Sequence, residues 1–143
     1  MMELVVASCS ADPTIRELTV SLMQGLANND LRNQVIRVAR FVRNNVTYVR
    51  DPEDSEYLIS PTKMIGDYYD QGVMFGDCDD HVMLLNAMLG SIGIPSKAVG
   101  VKFGNSAEFN HVISGVQCCG SFQLIDPCAK SGVQQVYNET LTI

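Results

Sequence analysis

The chain has 143 residues, 46% hydrophobic and 18% charged, which suits one folded domain with a full core and excludes global disorder. Its net charge is −6 and its Lys and Arg residues do not cluster, so nucleic acid and anionic membrane are not expected partners. No apolar run is long enough to span a membrane, and the acidic start MMELVVASCSADP does not read as a signal peptide.

In chain order, residues 4 to 8 suggest a short extended segment. Asp12-Pro13 then reads as a helix start, with Asp as N-cap and Pro at the first helical position. Ile15, Leu18, Leu22 and Leu26 recur at helical spacing, which predicts a helix from about 13 to 27. Asp30 can cap a second helix, with Leu31, Val35, Val38 and Val42 on one face and Arg32, Arg37, Arg40 and Arg43 mostly off it. The run Val46-Thr47-Tyr48-Val49 leaves this helix as an extended segment. Residues 50 to 61 are polar, acidic and bounded by prolines, as expected of a surface loop. Pro61 can open a short helix through Met64 and Ile65, followed by the loop DYYDQGVMFGD.

After Cys78 the sequence turns into an apolar helix. Val82, Met83, Leu84, Leu85, Ala87, Met88 and Leu89 wrap nearly all round it, so the helix is expected to be buried. Gly93 stops it and Pro95 forbids continuation. Three strand-like runs follow, Lys97 to Phe103, Phe109 to Val116 and Phe122 to Asp126, broken at Gly104-Asn105 and Gly120. The expected fold class is α+β, with N-terminal helices and a central buried helix packed on an antiparallel sheet.

Cys78, His111 and Asp126 form the candidate catalytic set. A thiol at a helix N-terminus meets N–H groups and a dipole that favour an anion, and the same N–H groups can hold an oxyanion. An imidazole can take the thiol proton, and a carboxylate behind it fixes the ring tautomer. Strand alternation puts Phe109, His111 and Ile113 on one face, and Phe122, Leu124 and Asp126 on one face of the next strand. If those faces meet the Cys78 helix, the three groups converge. Asp77, Asp79 and Asp80 crowd the thiol. They are expected to cap the helix and point away from it, toward backbone N–H groups or a cationic substrate.

Five cysteines, Cys9, Cys78, Cys118, Cys119 and Cys128, leave at least one unpaired within a monomer. Reduced thiols are expected, with all but Cys78 acting as small core hydrophobes. His81, three positions after Cys78, has no evident orienting partner and reads as a solvent-facing or supporting residue. No C-x-x-C pair or H-x-x-x-H is present, and adjacent Cys118 and Cys119 should point to opposite strand faces. No metal or cofactor is expected.

At GDCDDHVMLLNAMLGSIGIPSKAVG, NHVISGV and FQLIDP the chain resembles the transglutaminase-like superfamily of papain-type cysteine enzymes. VIRVARFVRNNVTYVRDP is similar to the helix and exit that precede that family's core, and the resemblance covers roughly residues 30 to 130. It implies a single domain over 1–143, with residues 1–30 a helical extension and about 31–130 the core. It also implies Cys78 as nucleophile, His111 as base and Asp126 as orienter in an enzyme acting on amide bonds: peptidase, deamidase or acyl transferase. A protein or peptide substrate follows. The GDCDD-type start is similar to compact proteins of tailed bacteriophages. That implies a location in the host cytoplasm or a phage particle, phage structural proteins as partners, and a non-enzymatic virion or tail module as the alternative function. The chain departs from many members in lacking tryptophan, and Val112 stands beside the histidine where they carry an aromatic. Tyr48 is a candidate oxyanion donor.

Overall fold

A computed structural model describes residues 2–49, 59–101, 111–128 and 140–142. Five helices and six strands lie among the described residues. None of these helices is long and apolar enough to cross a membrane.

Helix α1 (Met2–Ser10) stands where an extended segment was expected over 4 to 8. Val5, Val6 and Cys9 fall on one helical face and pack on the core, so tertiary burial overrides the strand preference of the two valines. Asp12 caps α2 (Pro13–Leu22), its side chain accepting from the Thr14 N–H at 2.8 Å. α2 ends before the expected residue 27. Gly25 turns the chain at φ +83°, and Arg37 Nη1 donates to the Leu22 carbonyl at 3.0 Å and to that of Gln24. In α3 (Leu31–Asn45), Val35, Val38 and Val42 are buried as the pattern predicts, and Phe41 joins them.

Strand β1 (Val46–Tyr48) pairs in parallel with β2 (Met74–Gly76), matching Val46 to Met74 and Tyr48 to Gly76. Between them, α4 (Pro61–Gln71) runs further than expected and takes up half of the predicted loop. It is held by Ser60 at its start, Gly72 in the left-handed region at its end, and the Tyr68 ring edge-on to Phe41. Most of the acidic loop expected at 50–61 lies outside the described residues.

The buried rod is α5 (Cys78–Ser91), in which residues 82–89 are all buried. It lies on an antiparallel sheet of strand order β5-β4-β3-β6, formed by β3 (Ser96–Val101), β4 (His111–Cys118), β5 (Ser121–Ile125) and β6 (Thr140–Thr142). The α+β architecture is therefore the one expected. Ser114 Oγ bonds the Asn86 side chain, and Val116 and Cys118 join the core around α5. Val99, Val101 and Ile113 form a second small cluster on the opposite face of the sheet. Phe103, Phe109 and the Gly104-Asn105 turn lie outside the described residues.

The β4–β5 hairpin turns at Cys119 and Gly120, both with positive φ, which matches the right-handed twist of the flanking strands. Cys119 is therefore a turn residue and does not take the opposite strand face. The two adjacent sulfurs pair as a Cys118–Cys119 disulfide, which corrects the expectation of reduced thiols at these positions.

Leu85 is fully buried in α5. Leu85→Ala should cost about 2–5 kcal/mol in urea unfolding. A loss well below 1 kcal/mol would contradict a buried rod.

Candidate active site

The start of α5 is fixed by a reciprocal cap. The Asp77 side chain accepts from the Asp80 N–H at 3.2 Å, and Asp80 Oδ2 accepts from the Asp77 N–H at 3.1 Å. Asp80 Oδ1 also accepts from the Ile59 N–H at 2.9 Å, and the residue is fully buried. Gly76 makes room for this, since a Cβ there would lie 2.6 Å from Asp80 Cβ. Two of the three acids thus bind backbone N–H groups, as expected. Asp80 cannot face a cleft to recruit a cationic substrate; Asp79 is only partly buried.

His111 opens β4 and Asp126 follows the last residue of β5. The β4–β5 register pairs Ser114 with Ile125, so both ends of the hairpin come together. His111 Nε2 lies 2.9 Å from Asp126 Oδ2, with both side chains largely buried. Asp126 Oδ1 accepts from the Cys128 N–H at 2.9 Å, so both carboxylate oxygens are engaged. Cys78 also acts to raise the His111 pKa, which places its side chain near the ring. With Nε2 turned to Asp126, Nδ1 is the ring nitrogen left for the sulfur.

The route by which these groups meet differs from the expected one. Ile113 and its neighbours face away from α5, so the strand face as a whole does not meet the helix. Contact is made at the beginning of β4. The Asn86–Ser114 bond aligns the two elements. Asn86 lies about 12 Å along α5 from Cys78 at 1.5 Å per residue. Ser114 lies about 10 Å along β4 from His111 at 3.3 Å per residue. Helix start and strand start therefore sit at one level.

Burial pulls the His111 pKa down, but hydrogen bonds to Asp126 and Cys78, followed by their charges, outweigh it and leave it at about 9. The ring is protonated at neutral pH. Cys128 behaves differently. Burial pushes its thiol pKa up, and the negative charges of Asp126, Cys78, Asp77 and Asp79 push it further. Of the two partly buried free thiols at this site, Cys128 keeps its proton, and Cys78 is the one that acts to raise the His111 pKa. Sequence alone reads Cys128 as a core hydrophobe. Its position two residues past Asp126, in a Pro-containing turn, was the available signal.

His81 is not solvent-facing. It is 2% exposed, its Nδ1 lies 2.6 Å from the Asp77 carbonyl, and its ring sits 5.9 Å from that of Tyr48. A carbonyl only accepts, so Nδ1 carries the proton. Tyr48 is half exposed and pairs with Gly76, two residues before Cys78 in the chain. Among the described residues, no three His, Cys, Asp or Glu side chains gather as a metal site.

The raised His111 pKa sets a pH dependence. A group whose folded pKa lies above its unfolded value gives stability that is complete below the unfolded 6.5 and lost as pH rises through about 9. NMR titration of His111 should give a midpoint near 9. In Asp126→Asn it should fall toward 6.5, and the alkaline stability loss should shrink. An unchanged midpoint in that variant would show that Asp126 does not hold the proton.

The profile of the transglutaminase-like superfamily matches residues 16–139. Two solved structures share the fold. One, named a "putative cysteine protease" from Cytophaga hutchinsonii, is 17% identical with a TM-score of 0.62, over 80% of this chain and 36% of that one. The other, named a "putative protease" from Parabacteroides distasonis, is 16% identical with a TM-score of 0.64, over 91% of this chain and 26% of that one. The chain thus spans about a third or less of their length. No curated protein sequence matches it. With the profile covering most of its length, the chain belongs to the transglutaminase-like superfamily.

Proposed function

We propose that the chain is a cysteine-dependent enzyme that cleaves or transfers the acyl group of an amide bond in a protein or peptide. Cys78 is the nucleophile, His111 the proton carrier and Asp126 its orienting partner. The observation that carries this reading is the 2.9 Å contact of His111 with Asp126, near Cys78 at the start of a buried helix.

The chemistry follows from the groups present. Cys78 Sγ attacks the amide carbon, and the carbonyl π electrons move onto oxygen. The Cys78 N–H, at the first position of α5, has no intrahelical acceptor and can stabilise that oxyanion. Tyr48 is the side chain assigned to assist it. The C–N bond then breaks, and the amine leaves with the proton held by His111. A thioester remains on Cys78. Water gives up a proton to His111 and hydrolyses it, or an amine does so and forms a new amide. Asp126 keeps the ring oriented throughout and does not need to change protonation state.

Exposed apolar surface lies beside the thiol. Tyr48 and Val49 at the end of β1 and Phe75 in β2 are each about half exposed. They offer a contact for an apolar substrate side chain. No observation favours the non-enzymatic virion or tail module, and nothing in the comparisons points to a phage.

Iodoacetamide should label Cys78 before Cys9, which is buried, and before Cys128, which holds its proton. His111→Ala should slow that labelling. An electrophilic amide-mimic probe should modify the wild type and not Cys78→Ala, whose unfolding free energy should stay within about 1 kcal/mol of wild type. No modification of Cys78 by a panel of such probes, together with a clear stability loss in Cys78→Ala, would make Cys78 a structural residue.

A further inference from the structure

A second feature lies toward the other end of α5. A cavity of about 590 Å³ is walled by α1, the C-terminal half of α5 and the start of β3. This is within the range of small-molecule sites, about 300–1,000 Å³. Val6 and Ala7 form one side, Asn86 and Gly90 another, and Pro95 and Ala98 the third. Gly90 is a close approach, since a Cβ there would collide with the Ser10 side chain. The lining is mostly apolar, and it begins about 12 Å along the helix from Cys78.

Asn86 gives the cavity its chemistry. It is the one polar residue in the apolar stretch 82–89 and is 3% exposed. Its carboxamide oxygen accepts from Ser114 Oγ, and its amide nitrogen has no partner among the described residues. Asn86 lines the cavity, so a ligand there can accept a hydrogen bond from that nitrogen in place of water. No charge competes for the ligand. Lys97 lines the cavity, but its ammonium lies 5.2 Å from the centre of the Phe122 ring. Phe122 packs on Gly115, which shares the Ile113 face of the sheet, opposite to Ser114. Lys97 therefore contributes only its alkyl stem. No carboxylate lines the cavity among the described residues.

We propose that this cavity is a binding site for a neutral, mainly apolar small molecule that presents one hydrogen-bond-accepting oxygen, a ketone, ester or amide carbonyl, to the Asn86 amide. The site is separate from the Cys78 centre and does not depend on the enzymatic reading.

The test uses the full chain and Nile red, a neutral fluorescent reporter. Its fluorescence should rise saturably. Methyl octyl ketone should displace it at roughly tenfold lower concentration than decanoate or decylamine, because a charge in an apolar cavity is penalised. Ala7 is exposed at the cavity wall, so Ala7→Phe should fold and abolish binding. Cys78→Ala should bind as wild type does. Adding methyl octyl ketone should shift the Asn86 side-chain amide resonance, a readout that needs no variant. Absence of saturable binding, equal displacement by the charged competitors, binding that survives in folded Ala7→Phe, loss of binding in Cys78→Ala, or an unmoved Asn86 resonance would each overturn the proposal.

Discussion

The position of the Cys78 sulfur depends on how the first turn of α5 is closed. A helix start leaves backbone N–H groups without partners, and here two aspartates close the turn on each other's amides. Asp80 then reaches further to the Ile59 amide, which ties the residue before the Ser60 cap of α4 to the same turn. Buried carboxylate charge is tolerable because every lone pair that matters meets an N–H. Gly76 is the condition for that packing, since any side chain there would displace Asp80. The motif GDCDD therefore works as a unit. Its glycine admits the acid, the acids fix the helix, and the helix start presents the cysteine between them.

A second constraint brings the imidazole to this start. His111 and Asp126 sit at the open end of one hairpin, whose turn at Cys119-Gly120 sets the register between its strands. The hairpin lies on α5 through Val116 and Cys118, and the polar bond from Ser114 to Asn86 fixes how far along the helix it sits. A slip of one residue in β4 would turn His111 to the other face and put Ile113's face on the helix. Hydrophobic burial alone would not forbid a slip of two residues, because both faces of β4 carry apolar side chains. The Ser114–Asn86 bond would be broken by it, which leaves two buried polar groups unmatched.

Much of this was legible in the sequence, for identifiable reasons. The Asp12-Pro13 cap, the α3 stripe and the all-round apolar α5 are local signals, and tertiary packing agrees with each of them. The family resemblance and the order Cys78, His111, Asp126 named a histidine and a carboxylate that do touch, with Cys78 near them. The misses are cases where long-range packing decides. α1 is a helix because Val5, Val6 and Cys9 have α5 to lie on, and nothing local announces that partner. The three-residue pair β1–β2 is too short to leave a pattern. His81 seemed unsupported because its partner is a backbone carbonyl, which a sequence does not display. Strand alternation alone does not give the surface involved. The face that His111 shares with Ile113 turns away from α5, and His111 stands at the strand's first residue.

The charge balance at the site explains why the proton resides where it does. Asp77, Asp79 and Asp126 bring negative charge around two sulfurs, Cys78 and Cys128. Acids alone would disfavour any thiolate there. Asp77 and Asp126 direct carboxylate oxygens at backbone N–H groups, which draws part of their field away from the sulfurs. The imidazolium of His111 supplies the opposing charge, in contact with Asp126 and near Cys78. Burial and the surrounding carboxylates keep the proton on Cys128. What distinguishes the two neighbouring thiols is position, since Cys78 stands at the first residue of α5.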